Sequence, residues 1–86
     1  MLDAVSRKVI SFWLTHSYLR RIGKRYPEYF KQMIYDLVDN RTCRKIMLLR
    51  YTGEDQLKFE AIAYEINMDL RDVFKYHKKA IDAIIG

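Results

Sequence analysis

Three glycines and one proline are the only strong helix breakers in a chain of 86 residues. So few breakers leave long uninterrupted stretches, which favours helices joined by short turns and argues against a β-sandwich or barrel. Half of the residues are apolar, which is enough for one small core without internal repeats. We therefore predict an all-α protein of about five helices, forming a single domain over residues 1–86.

The first predicted helix is long and amphipathic and carries two apolar stripes. It runs from about Asp3 to Arg21, where Gly23 and then Pro27 interrupt it. One small core cannot easily cover two stripes about half a turn apart, so the second is either clasped by the rest of the chain or contacts another subunit or protein. Both alternatives stay open. The first stripe contains Leu2, Val5, Val9, Phe12 and Trp13, and the second contains Ile10, Leu14, Tyr18 and Ile22.

Apolar pairs recur every four residues after Pro27, which is well placed at the first turn of a second helix. Asp39 and Asn40 end this helix, so residues 1–40 form an N-terminal helical part. Asn40 or Thr42 can cap a third helix that continues through Tyr51. The pairs expected to face the core are Tyr29–Phe30, Met33–Ile34 and Leu37–Val38.

Two further helices with a tight connection follow a predicted loop at residues 52–55. The fourth helix runs from about Phe59 to Ile66, and a fifth, capped by Asp69, covers about 69–84. Asn67 between them tolerates the left-handed conformation that a tight helix-to-helix turn demands. The residues of the fourth helix expected to point inward are Ile62, Ala63 and Ile66.

The fifth predicted helix has an apolar face and a long polar face. At about 100° per residue its inward face contains Val73, Tyr76, His77, Ala80 and Ile84. Two short helices joined by a short turn, the second displaying long polar side chains, have the layout of a helix-turn-helix whose second helix enters the DNA major groove. We predict such a motif in residues 41–86. Its outward, DNA-binding residues are Arg71, Phe74, Lys75, Lys78 and Lys79.

Each outward residue suits a particular contact. Arg71 and Lys75 are one turn apart, the right spacing to donate to guanine O6 and N7, and Phe74 can touch a thymine methyl group. Lys78 and Lys79 lie further along the helix, nearer the backbone phosphates. The alternative interpretation of the two lysines is a solvated helix face.

Positive charge is concentrated in the first half of the chain. Residues 1–52 hold eleven Lys and Arg against four Asp and Glu, a net charge of +7, whereas residues 53–86 hold five against seven, a net charge of −2. A DNA interface must therefore use both halves. The basic cluster Arg20, Arg21, Lys24 and Arg25 either complements the negative end of the helix dipole or contacts phosphates.

Several classes of function are not expected. The longest aliphatic run, residues 46–49, is far too short for a membrane span, and the N-terminus does not resemble a secretory signal. A lone Cys43 fits a reducing compartment, so we expect a cytoplasmic protein. His16, His77 and Cys43 lack the spacing of metal ligands, and there is no nucleophile-base pattern or phosphate-binding glycine loop, so we expect no metal, cofactor, small-molecule substrate or enzymatic activity. We expect His77 to be partly buried, and Tyr26, Tyr29 and Tyr35 to pack with their hydroxyls at the edge of the core.

Residues 42–85 resemble region 4 of bacterial sigma factors, and more specifically the small ArpU-type regulators of Gram-positive phages and mobile elements. The resemblance rests on the segment Lys45–Tyr51, on Glu60-Ala61-Ile62-Ala63 in the first motif helix, and on Val73 as the anchor of the second. It implies a DNA-binding transcriptional regulator in a bacterial host cell. Lys58 stands where such sequences usually place a serine or threonine cap, and Asn67 replaces the usual glycine of the turn.

These features favour a sequence-specific regulator that binds double-stranded DNA. The alternative is a sigma-like interaction module that binds RNA polymerase or a partner regulator and has little DNA specificity of its own. The acidic second half and the doubly apolar first helix favour this alternative. A further hypothesis is a homodimer formed through Ile10, Leu14, Tyr18 and Ile22, which would place two recognition helices about one duplex turn apart.

Overall fold

The computed structural model describes residues 4–53 and 56–85, and for residues 4–13 it describes the backbone alone. Over these ranges the protein is all-α, as predicted, with five helices. They are α1 (Ala4–Arg25), α2 (Pro27–Leu37), α3 (Arg41–Tyr51), α4 (Phe59–Glu65) and α5 (Leu70–Ile85). None of the helices in the described part of the chain is both long enough and apolar enough to cross a membrane.

The first helix does not end near Arg21 as predicted but continues through Gly23 to Arg25. Gly23 is buried where α1 crosses the end of α3, and a Cβ atom there would lie 1.9 Å from the backbone oxygen of Tyr51. Glycine is therefore needed for close approach of two backbones and does not terminate the helix. The helix stops before Tyr26, whose backbone is non-helical (φ −132°), since a proline such as Pro27 disfavours the helical conformation in the residue that precedes it.

In the second half of α1, the inward face does not follow the predicted second stripe. Leu19 is fully buried, although it belongs to neither stripe, and half-buried His16 and buried Gly23 lie on the same side of the helix. This line of residues contains a histidine and a glycine, so apolar spacing alone misses it. The predicted start of the helix at Asp3 and the side chains of the first stripe lie outside what the structure describes.

Two of the three apolar pairs predicted in α2 are divided between the core and the surface. Phe30, Ile34 and Val38 are buried, Met33 is half-buried, and Tyr29 and Leu37 are exposed. A surface helix buries only the residues that point towards its neighbours, so the second member of each pair is buried, whereas of the first members only Met33 packs against the core.

The third helix is central and contacts all four of the others. Its start is capped by Asn40, whose side-chain oxygen accepts a hydrogen bond of 3.0 Å from the backbone N–H of Cys43. Of the two predicted caps, Asn40 is therefore the one used. Burial raises the pKa of the Cys43 thiol, which keeps this sulfur protonated and unreactive.

Two hydrophobic clusters meet at α3. The larger cluster joins α1, α2, α3 and the second half of α5, whereas the smaller one joins α3, α4 and the first half of α5. Half-buried Tyr76 packs against both. The buried members of the larger cluster are Leu19, Phe30, Ile34, Val38, Cys43, Met47, Tyr51, Ala80 and Ile81, and those of the smaller are Ile46, Ile62 and Val73.

The connection between α4 and α5 takes the predicted form. Asn67 has a positive φ of 53°, the left-handed conformation that asparagine tolerates better than most residues. α4 buries only Ile62 fully, and Ala63 and Ile66 are half-buried. Lys58 at its N-cap makes no side-chain capping hydrogen bond. This short helix is therefore held mainly by its contacts with α3 and α5.

Candidate nucleic-acid interface

The fifth helix presents one face to the core and the opposite face to solvent. Val73, His77, Ala80 and Ile81 are buried, and Tyr76 and Ile84 are half-buried. Ile81 was missing from the predicted core face, which is wider than expected because α1, α3 and α4 all contact α5. All five residues of α5 predicted to bind DNA are exposed, and they are Arg71, Phe74, Lys75, Lys78 and Lys79.

The cations on this outer face form a line along the helix. At about 100° per residue, Arg71, Lys75 and Lys78 lie within about 60° of one another, and Lys79 lies to one side. Lys78 makes an exposed ion pair with Asp82, at 3.6 Å between Nζ and Oδ2. An exposed pair of this kind is weak and is easily exchanged for another anion. The line can therefore present up to four positive groups to an anionic ligand.

Phe74 has a structural contact as well as an exposed edge. Its ring centroid lies 4.9 Å from that of Phe59 at the start of α4, and 47% of Phe74 remains exposed. The guanidinium of Arg50 covers the Phe59 ring, 4.4 Å from its centroid. Phe74 therefore helps to hold α4 against α5, and only its outer half is available to a ligand.

Two arginines of the basic first half serve the fold. The Arg50 guanidinium donates to the carbonyl oxygen of Leu57 at 3.0 Å, in addition to covering Phe59. Arg44 donates to the carbonyl oxygens of Tyr35 and Val38, at the end of α2. Carbonyl oxygens at the end of a helix lack partners within the helix, so Arg44 caps α2. Neither arginine is among the predicted DNA-binding residues.

A buried polar contact fixes α5 against α3. The Tyr51 hydroxyl and His77 Nε2 lie 2.6 Å apart, and both residues are almost fully buried. Burial lowers the pKa of His77 to about 4, with smaller contributions from His16 and Arg50, and raises the pKa of Tyr51. At neutral pH a neutral imidazole and a neutral phenol therefore share one hydrogen bond.

His16 of α1 also belongs to this group, although it lies far from His77 in the sequence. Its ring centroid is 5.5 Å from that of Tyr51 and 6.2 Å from that of His77. Burial lowers the pKa of His16, and the charges of Arg50 and Arg20 lower it further. The sequence predicted a partly buried His77 but gave no sign that the two histidines meet. Among the described residues, no group of three or more His, Cys, Asp and Glu side chains is arranged to hold a metal ion.

The basic cluster at the end of α1 divides into two pairs on different sides of the helix. Residues four apart share a face, so Arg20 and Lys24 form one pair and Arg21 and Arg25 form another, about 100° around the helix. All four are exposed. We call Arg20 and Lys24 the loop-side pair and Arg21 and Arg25 the outer pair.

The loop-side pair lies next to the connection between α3 and α4. Gln56 in that connection donates to the carbonyl oxygens of Arg20 at 2.8 Å and Tyr51 at 3.0 Å. Lys24 lines a shallow groove together with Thr52 and Gly53. The α1 cations on this side therefore sit close to the segment that leads into α4.

The predicted self-association stripe on α1 is partly available. Leu14 and Tyr18 are 67% and 52% exposed, whereas Ile22 is half-buried and packs against the larger cluster. Ile22 is thus mainly a core residue. The side chain of Ile10 lies outside the described residues.

Several exposed aromatic residues were not predicted to be on the surface. Tyr26, Tyr29 and Tyr35 are all more than half exposed, so the prediction that they pack with only their hydroxyls at the edge is wrong. Tyr64 on α4 is 89% exposed and lines a shallow depression with Asn67 at the connection to α5. Its position next to inward Ala63 was a signal for an outward side chain.

Comparison of the chain with protein-family models, curated proteins and solved structures gives no match.

Proposed function

We propose that the protein is a sequence-specific DNA-binding transcriptional regulator in which α4 and α5 act as a helix-turn-helix. The observation that carries this proposal is the line of exposed cations on α5, directly opposite a face buried by Val73, His77 and Ala80. A helix held in this way can enter a major groove with its long polar side chains towards the bases. The short connection containing Asn67 supports the same arrangement.

Base reading is assigned to the first turns of α5. Residues near the start of a recognition helix usually contact base edges, and Arg71 and Lys75 can donate to guanine O6 and N7 there. Asp69 and Asp72 lie in the same region, where a carboxylate can accept from cytosine N4 but is repelled by phosphates. This mixture of charges favours base selectivity over strong non-specific attraction.

Attraction to the phosphates is assigned to cations outside the first turns of α5. Lys78 and Lys79 lie further along the helix, and the loop-side pair lies near the connection that leads to α4, in which Gln56 donates to the Arg20 carbonyl oxygen. Lys58 at the N-cap of α4 is exposed. In a helix-turn-helix the first helix crosses the DNA backbone, so cations near its start suit phosphate contacts. Because residues 53–86 carry a net charge of −2, they need the basic first half to supply attraction.

The first test is selection of a preferred duplex from random DNA, followed by affinity measurements at several salt concentrations. Arg71→Ala or Lys75→Ala should weaken binding to the selected site by about 1–3 kcal/mol and relax its base preference. Lys78→Ala should weaken all duplexes alike and make the salt dependence shallower by about 0.9 per lost phosphate contact. Lys31→Ala is the control for the α5 variants alone, because Lys31 lies on α2 and pairs with Glu28 but lines the same groove as Lys24.

Thermal melts of each variant establish that these exposed substitutions leave the fold intact. If the Arg71→Ala, Lys75→Ala double variant binds the selected site as tightly as the unmodified protein, α5 does not enter the groove. If replacing the loop-side pair with glutamines leaves the salt dependence of DNA affinity unchanged, these α1 cations do not contact phosphates.

A further inference from the structure

The outer pair of α1 lies on the same face as two exposed apolar residues. Leu14, Tyr18, Arg21 and Arg25 follow one another at spacings of four, three and four residues, so they form a single straight line along the helix. We call this line the outer stripe. It spans about 16 Å at 1.5 Å per residue and is apolar at one end and cationic at the other. The loop-side pair lies on a different face.

We infer that the outer stripe binds an acidic amphipathic helix of another protein. Leu14 and Tyr18 lie one turn apart and are both more than half exposed, so the apolar face of an amphipathic helix packed alongside would cover them. A straight stripe of this length matches about three turns of a helix packed alongside. This inference uses residues outside α5 and is independent of the proposed DNA binding.

Charge identifies the chemistry of the partner. The α1 sequence from Ala4 to Arg25 contains six Lys and Arg residues and no Asp or Glu. In the described part of the chain, the ion pairs are Lys31–Glu28 and Lys78–Asp82, so no carboxylate there neutralises Arg21 or Arg25. A partner that supplies carboxylates beside the outer pair gains electrostatic complementarity along with apolar contact.

The same charge distribution disfavours a second copy as the occupant. Packing the outer stripes of two copies together adds Arg21 and Arg25 of the second copy to those of the first, and neither α1 helix supplies a carboxylate to neutralise them. Like charges across an interface oppose association. A homodimer formed through Leu14 and Tyr18 is therefore less favourable than binding of an acidic helix to the same surface.

The dipoles of the two helices favour an antiparallel partner. Carboxylates are most favourable in the first turn of a helix, at its positive end. An antiparallel partner places that first turn beside Arg21 and Arg25 and its later apolar residues beside Leu14 and Tyr18. The expected partner sequence thus begins with Glu or Asp and continues with apolar residues three and four apart.

The test follows amide resonances of the full chain by NMR while a synthetic helical peptide is added. The peptide carries glutamates in its first turn and leucines at helical spacing, and a second peptide has lysine in place of each glutamate. The acidic peptide should bind saturably and shift resonances of residues 14–25 on the outer stripe, and the lysine peptide should leave them unchanged.

Charge variants on the two faces of α1 provide the matched comparison. Arg21→Glu with Arg25→Glu should weaken peptide binding by about tenfold or more, whereas Arg20→Glu with Lys24→Glu makes the same change in net charge and should weaken it by less than about threefold. Leu14→Ser should weaken binding without altering the charge. All of these side chains are exposed, and thermal melts verify folding.

Three results would overturn the inference. Equal losses of peptide affinity in the two charge variants would mean that the peptide is attracted by the overall positive charge and not by the outer stripe. Sedimentation showing a dimer that Leu14→Ser dissociates would assign the stripe to a second copy. Tighter binding to phosphatidylserine-containing vesicles than to the acidic peptide, lost in the outer-pair variant, would assign it to an anionic membrane surface. Failure of DNA binding would affect none of these measurements.

Discussion

The α1–α2 hairpin and the α4 segment are both packed on α3, but they are held to very different extents. The hairpin contributes Leu19, Phe30 and Ile34 to the larger cluster, all fully buried. α4 contributes Ile62 as its one fully buried residue and has no side-chain cap at Lys58. The two ends of α5 therefore have different supports, because its second half packs into the larger cluster and its first half packs against α4 and α3.

This division places the proposed base-reading residues on the lightly held side. Arg71 and Lys75 lie in the half of α5 that packs against α4, and the Phe59–Phe74 and Phe59–His77 ring contacts join these elements. Segments with few buried contacts open more easily than the rest of a protein. A lightly packed α4 allows the start of α5 to adjust to a groove, while the buried Tyr51–His77 contact keeps the helix attached to α3.

The largest expected effect comes from removing core side chains in each region. Ile34→Ala and Ile62→Ala each create a cavity of similar chemistry and should cost about 2–5 kcal/mol locally. Ile34→Ala should lower the free energy of global unfolding by this amount. Ile62→Ala should chiefly expose α4, because that segment can separate while the larger cluster stays packed.

Urea unfolding combined with hydrogen exchange separates the two outcomes. In Ile62→Ala we expect lost protection of amides in residues 59–70 and retained protection in α1 and α2. Identical loss of protection throughout the chain in both variants would mean that the two clusters unfold as one unit.

An intermediate effect is expected from pH, through the contact that joins the two regions. The pKa of His77 falls from its ordinary 6.5 to about 4 in the folded protein, so the unfolded chain binds a proton more readily. The contribution of His77 to the free energy of unfolding is therefore fully present above about pH 6.5. It decreases by on the order of 3 kcal/mol as the pH falls towards 4. The lowered pKa of His16 acts in the same direction.

Urea unfolding of the unmodified protein and of His77→Gln, each at pH 7 and pH 5, measures this dependence. The free energy of unfolding of His77→Gln should change less between pH 7 and pH 5 than that of the unmodified protein, because the contribution of His77 is absent. Tyr51→Phe should cost about 1–2 kcal/mol at pH 7 while keeping most of the slope, because burial still opposes protonation of His77. An unchanged slope in His77→Gln would assign the pH dependence to other groups.

The smallest expected effect concerns the helix caps. Asn40→Ala removes the hydrogen bond to Cys43 and should lower stability by about 0.5–2 kcal/mol. Lys58→Ser supplies a side-chain acceptor at the start of α4 and should stabilise the protein by up to about 1 kcal/mol. Thermal melts measure both changes. No gain in Lys58→Ser, with a normal loss in Asn40→Ala, would show that α4 is limited by its packing and not by its cap.

The sequence predicted local features well where one or two residues decide the conformation. Asn40 capped α3, Pro27 opened α2, and Asn67 took up the left-handed conformation, since each depends on the chemistry of that residue and its immediate neighbours. The division of α5 into a buried and an exposed face was also predicted, because its apolar residues recur at helical spacing.

The predictions that failed depended on the neighbours of a helix. Gly23 is a helix breaker by composition, yet it lies inside α1 because the Tyr51 backbone crosses there. Tyr29 and Leu37 have the spacing of core residues but are exposed, since α1 and α3 cover only one side of α2. Apolar periodicity shows that a helix has an inward face. It does not show the width of the buried face, because that width depends on how many neighbouring helices cover it.

The helical fold class, the main breaks between helices and the polar face of α5 can be read from the amino-acid sequence, because they follow from propensities and spacing within a few turns. The meeting of His16 and His77 around Tyr51, and the inward position of Ile22 beside exposed Leu14 and Tyr18, are visible in the folded protein alone. Both depend on how helices far apart in the chain cross, and the crossing is set by the packing of all five together.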